Sequence, residues 1–220
     1  MAFNINTFRS TTDWGGGILR TNKFRMRFQL PVGLFDEVPQ DSQRGARSNI
    51  TVRYMEYFAE SAVMPGLNIL THEARKYTFG PAQKRPFVTG FNDLVVTFYD
   101  ESHARNWQFL LDWMHLINNS VLSRDDSAVS DTQIIASAAP SSPYEINYRD
   151  YYVTDCDLHI FTDTGRIAKG FRFRELYPIA MADTPLNWSD LNSLLRLTVN
   201  FHFLEWYEIP KNLLDVQYTQ

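Results

Sequence analysis

The sequence predicts a mainly antiparallel β fold that carries one amphipathic helix. Three observations lead there: two segments alternate apolar and polar residues with period two, one stretch follows helical spacing, and "FTDTGRI" offers the Asp and Gly of a short hairpin turn. A chain of 220 residues with 44% hydrophobic content is long enough to bury a substantial core.

The elements follow in chain order. The first residues, "MAFNINTFRSTTDWGGG", hold no continuous apolar run, and residues 1–20 are expected to form a flexible arm. From Lys23 to Leu30, the apolar Phe24, Met26, Phe28 and Leu30 alternate with Lys23, Arg25, Arg27 and Gln29, as in a strand with one buried face. Further strands are expected at Ile50–Phe58, Phe91–Tyr99, Tyr151–Phe161 and Ile167–Phe173. Leu195–Phe203 alternates most clearly, with Leu195, Leu197, Val199, Phe201 and Phe203 opposing Arg196, Thr198, Asn200 and His202. Met64-Pro65-Gly66-Leu67 has the Pro-Gly order of a type II turn, with positive φ expected at Gly66.

The helix is "NWQFLLDWMHLINN", with Asp100 or Ser102 as the expected N-cap and Asn118 and Asn119 closing it. Trp107, Leu110, Leu111, Met114 and Ile117 form a core-facing stripe, and Phe109, Trp113 and Leu116 form a second beside it. Either the helix is wedged so deeply that both stripes serve its own core, or the second stripe meets a neighbouring subunit. Two long connections, Pro31–Asn49 and Ser120–Asn147, separate these elements within a single domain over residues 1–220.

Charge and motifs narrow the chemistry. With 25 acidic and 21 basic side chains the net charge is −4, which lacks the basic excess of a tight nucleic-acid binder. No apolar run approaches the roughly 20 residues of a membrane span, so neither export nor membrane insertion is expected. The single Cys156 can form no internal disulfide, as suits a reducing compartment. "DWGGGILR" does not link an apolar strand to a helix and is followed by no Lys-Ser or Lys-Thr, so it makes no phosphate cradle. Cys156 and His159 are an odd number of residues apart on a strand, which sends them to opposite faces and argues against a zinc site. Asp155 and Asp157 share a strand face and could work as an acid–base pair, line a channel or simply solvate an outer surface. His72, His103, His115 and His202 have no second ligand at helical spacing, and Ser61 and Ser189 stand outside a nucleophile elbow. Nothing here supports catalysis, a metal or a cofactor.

One ordered set of motifs is more specific. "MPG", "KYTFGPAQKRPF", "FNDLVVTFYDE", the aromatic helix, "YRDYYVTDCDLHIF", "GFRFRELYPIAM", "PLNW" and "LTVNFHFLEW" run from about Phe58 to Trp206. In this order they resemble the tail-tube family of contractile, T4-type bacteriophages, whose fold recurs in type VI secretion tubes. The resemblance implies an antiparallel β-sandwich or small barrel with one flanking helix, its strands joining those of neighbours into an intersubunit β-barrel. It further implies hexameric rings stacked into a conduit for DNA ejection, with sheath, baseplate and terminator proteins as partners, no cofactor, and a place in the virion tail after assembly in the host cytoplasm. Phe109, Trp113 and Leu116, with Asp36, Glu37, Arg44 and Arg47 of the first long loop, are the expected subunit-interface residues. Asp155 and Asp157 are the expected lumen residues, in a ring whose six copies would total about −24. The alternatives are a baseplate tube initiator of the same fold, a carbohydrate-binding sandwich that uses the 15% aromatic content, and a hydrolase with dispersed catalytic groups.

Overall fold

The computed structural model of the chain describes residues 19–35, 53, 55–75, 80–118, 145–189 and 194–210. The arm up to residue 18, residues 36–49 and 120–144 of the two long connections, and Asn119 lie outside the described residues. The strands are β1 (Phe24–Phe28), β2 (Ala59–Val63), β3 (Leu67–Arg75), β4 (Ala82–Phe91), β5 (Leu94–Tyr99), β6 (Thr154–Phe161), β7 (Ile167–Met181), β8 (Arg196–His202) and β9 (Glu205–Glu208). The helices are α1 (Val32–Phe35), α2 (Arg105–Ile117) and α3 (Arg149–Tyr152).

Alternation places the core as the sequence predicts. Met26 and Phe28 of β1 and Leu197, Val199 and Phe201 of β8 point inward, as do Leu94, Val96 and Phe98 of β5. Seven strands form one antiparallel sheet in the order β1-β6-β7-β8-β5-β2, with β9 also on β7. The sheet folds over on itself, because Phe28 of β1 lies 6.0 Å from Phe98 and 5.7 Å from Phe201, ring centre to ring centre. The architecture is therefore the expected antiparallel sandwich with a flanking helix.

The fold-over happens on β7. Its first half pairs with β6 and β9 and its second half with β8. Between them Glu175 adopts φ 52, a left-handed conformation that costs a non-glycine residue about 1 kcal/mol or more. Its N–H is held by Asp155 Oδ1 at 3.2 Å and its carboxylate by Arg149 at 2.6 Å, which offsets that cost. Pro178 sits just beyond, beside a register shift, where a strand can spare an N–H. The β6–β7 turn has its predicted glycine, Gly165 at φ 80, and Thr162 and Arg166 close it through a 2.8 Å bond.

Neither Asp100 nor Ser102 is the N-cap residue of helix α2, but the Asp100 carboxylate accepts the N–H groups of Asn106 and Trp107, each at 3.2 Å. The residue immediately before the helix is Ala104 at φ 52, so Asp100 caps from across the turn. Asn118 ends the helix, its N–H reaching Met114 O at 3.0 Å. The two apolar stripes exchange roles: Phe109, Trp113 and Leu116 are 6%, 0% and 1% exposed, whereas Trp107, Leu111, Met114 and Ile117 are half-buried. Trp113 packs 6.0 Å from Phe201 and donates Nε1–H to Tyr152 O at 2.8 Å, so the wide ring fills the core without an orphaned polar atom. Leu110 alone of the expected core stripe is fully buried.

Several expectations are corrected. Residues 53 and 55–58 are helical rather than extended, which sends Met55 into the core and turns Glu56 toward Arg25. Residues 50–52 and 54 lie outside the described residues. The segment expected as a strand from Tyr151 begins instead with the turn of α3, and extended structure starts at Thr154. Among the described glycines only Gly165 has positive φ, so Pro65-Gly66 is no type II turn but an open link from β2 to β3. The root of the first long loop is helical too. Gly33 of α1 is packed so closely that a Cβ there would lie 2.9 Å from both Leu116 Cδ1 and Tyr151 O.

Candidate assembly interface

A run of exposed apolar residues lies on an element that the sequence reading missed. Strands β3 and β4 form a separate two-stranded sheet, in register from Leu67↔Phe91 to Arg75↔Ala82. Leu67, Ile69, Leu70, Phe87 and Val88 are all exposed on it, and Val63 at the end of β2 is exposed too. A register shift beside Leu70 and Thr71 accommodates Phe87 and Pro86, and Phe87 meets His72 edge-on at 5.8 Å. Phe91 anchors the hairpin at its base, 5.9 Å from Phe203 and 6.3 Å from Trp206. An isolated two-stranded sheet is marginal in water, and its outer edges offer unpaired N–H and C=O groups.

The outer face of β1, β6 and β7 is polar but closed. Asp157 is 5% exposed and receives both Arg172 Nε and Nη2, at 2.6 and 2.8 Å. Arg25 is paired with Glu56, a buried residue of the helical segment 55–58. His159 is fully buried on this same face, and burial pushes its imidazole below the usual value despite Asp157, with Arg25, Arg27 and Arg172 adding to the depression. The Arg172 guanidinium is held still more firmly charged by Asp157. The Asp157 charge is thus paired within the chain, while half-buried Asp155 accepts the Glu175 N–H at the β7 bend through Oδ1. Cys156 faces the core, opposite His159, and burial pushes its thiol well up.

The other expected sites separate clearly. Phe109, Trp113 and Leu116 lie inside the chain's own core and show almost nothing to a neighbour. Asp36, Glu37, Arg44 and Arg47 lie outside the described residues. His202 bonds Asp93 at 3.1 Å and His103 bonds Ser102 at 3.2 Å, while Ser189 donates its N–H and hydroxyl to Asn187 in a turn. Among the described residues no group of three His, Cys, Asp or Glu could hold a metal, and no helix is long and apolar enough to cross a membrane.

A family model described as phage tail tube protein matches residues 19–209, nearly the whole chain. The chain belongs to the phage tail tube protein family. Two solved structures of an extracellular contractile injection system share the fold. One, of the PVC sheath/tube terminator in its extended state, has a TM-score of 0.51 at 12% identity and covers 88% of this chain and 97% of that one. The other, of the PVC sheath–tube complex, has a TM-score of 0.51 at 10% identity and covers 94% and 99%. A more distant likeness, TM-score 0.37 at 11% identity over 82% of each chain, is to Hcp1 from Salmonella typhimurium. No curated protein matches the chain. As a member of the tail tube family the protein has a structural role, and its hairpin is exposed outside its own core.

Proposed function

We propose that this tail tube protein is a non-catalytic subunit of a contractile phage tail, assembling into stacked hexameric rings that form the conduit for DNA ejection. The observation that carries the reading is the β3–β4 hairpin: apolar on both faces near its base, paired with no other strand among the described residues, and open at both edges. Pairing with strands of neighbouring copies closes those edges and buries Ile69, Leu70, Phe87 and Val88 in a barrel that runs around the ring. A net charge of −4 on each copy keeps a passing phosphate backbone from sticking. Sheath, baseplate and terminator proteins are the partners of such a tube, and the virion tail is its location.

A single-ring role at the end of the tube is the second reading, favoured by the equal likeness to structures solved with a tube terminator and with a sheath–tube complex. Substituting Ile69 and Phe87 together by Asp tests the assembly claim. The fold, followed by circular dichroism, should persist while light scattering shows rings replaced by monomers. Rings of unchanged mass from this variant would remove the hairpin from the interface.

A further inference from the structure

The polar face of β1 and β6 encloses a histidine, fully buried, inside a cluster of fixed charges. His159 of β6 stands between Arg25 of β1 and Gly170 of β7, so one flank is a guanidinium and the other has no side chain. Two residues back on the same strand face, Asp157 stands between Arg27 and Arg172. The helical residues 55–58 add Glu56, which accepts from Arg25, and Tyr57, whose ring centre lies 5.4 Å from the Arg25 guanidinium. From β9, Tyr207 stands opposite Arg172 and shares a hydrogen bond with it. Asp155 accepts the Glu175 N–H at the β7 bend. The charges farther out pair among themselves, Lys23 with Asp163, Lys169 with Glu208 and Arg174 with Glu205.

With His159 neutral, the three cations Arg25, Arg27 and Arg172 face the two carboxylates Glu56 and Asp157, a balance of +1. A proton on His159 raises it to +2 in a place closed to water. Neither carboxylate has an oxygen to spare. Asp157 holds Arg172 with both of its own, and Glu56 holds Arg25 with Oε2 while Oε1 lies 3.9 Å from Arg27. Burial and the three guanidinium groups accordingly hold the imidazole below its usual value. The element best able to move is β1. It is a five-residue edge strand paired with β6 alone, whereas β6 is also fixed by β7 along its other side.

We propose that His159 is an acid-operated latch: its protonation in mild acid lifts β1 and the helical residues 55–58 from β6 and opens this edge of the sheet to water, while β5, β7 and β8 stay folded. An opened face returns water to the imidazolium and lets Arg25 and Arg27 move away from it, so the protonated state favours the opening. The latch belongs to the single chain and stands apart from the stacked-ring reading.

Hydrogen exchange of the purified full-length protein, read by mass spectrometry at about pH 7.5 and about pH 5 and corrected for the intrinsic rate at each, follows the opening directly. Protection of residues 24–28 and 55–58 should fall by about tenfold, within what a proton excluded over about 1.5 pH units can produce, while β5 and β8 keep theirs. His159→Gln, uncharged at both pH values, should abolish the fall. Arg27→Gln removes an exposed cation of the cluster and should make the fall smaller, which keeps the proposal testable should His159→Gln not fold. No fall in the wild type, a fall spread evenly over β5 and β8, or an equal fall in His159→Gln overturns the proposal. An undiminished fall in Arg27→Gln overturns it as well.

Discussion

Asp157 grips Arg172 across the β6–β7 pair through two parallel hydrogen bonds, 2.6 Å to Nε and 2.8 Å to Nη2, with the Asp157 side chain 7% exposed. Removing one partner of such a pair strands the other charge. Asp157→Ala should therefore lower stability by about 3 kcal/mol in urea unfolding, whereas Asp157→Leu combined with Arg172→Met should cost much less. Equal losses from the single and double changes would show that packing, not the ion pair, carries the effect.

The close approach at Gly33 yields a second outcome. A methyl group there meets Leu116 and the Tyr151 carbonyl at 2.9 Å, and the carbonyl cannot swing aside as a side chain end can. Gly33→Ala should destabilise the protein by about 2 kcal/mol, the usual cost of overpacking. An unchanged melting temperature would mean that α1 can lift off α2 and α3 freely.

Asp100 gives the cap of α2 a measurable weight. Its two oxygens satisfy the N–H groups of Asn106 and Trp107. Asp100→Ala should cost about 1 kcal/mol, and Asp100→Asn about half as much because the amide keeps one acceptor. Thermal melts of the two variants should rank in that order, and the reverse ranking would contradict the cap.

Asp112 sets a pH dependence of definite sign. Burial pushes its carboxyl up to about 6, only partly opposed by Gln108, and its Oδ2 has no hydrogen-bond partner among the described residues. The folded state thus holds a proton that the unfolded chain, with its ordinary value of 3.8, has already released. This group favours folding most at low pH, and its contribution is lost as pH rises from about 4 through about 6. His159, buried with a lowered value, acts in the opposite sense, losing stability as pH falls below about 6.5. The melting temperature of Asp112→Asn relative to wild type should climb between pH 4 and pH 8; a flat difference would show that Asp112 ionises freely.

The sequence made the inner structure legible and the outer structure obscure, for one physical reason. Period-two alternation records a strand with one wet face, so β1, β5 and β8 could be read directly from Met26, Phe28, Val96, Phe98, Val199 and Phe201. The hairpin has exposed residues on both faces, so "LNILTHEAR" and "AQKRPFVTGF" lack that pattern, and Pro86 disguises a strand that tolerates it only beside a register shift. The surface an assembly protein keeps for its neighbours carries no alternation of its own. Helix α2 failed more narrowly: its spacing was right, but two apolar stripes left the choice of inner face open, and Trp113 settles it by reaching Phe201 and Tyr152. Asp155 and Asp157 share the strand spacing of a solvated pair, and their partners Glu175 and Arg172, about 20 residues away or fewer in sequence, could not be read from that spacing.

The most direct test of the account is the assembly state of the purified wild-type protein, measured by light scattering after size exclusion and by electron microscopy of the same fractions. The account predicts hexameric rings that stack into hollow tubes as concentration rises. A monodisperse monomer at high concentration, with neither rings nor tubes even when a baseplate complex is supplied, would contradict it.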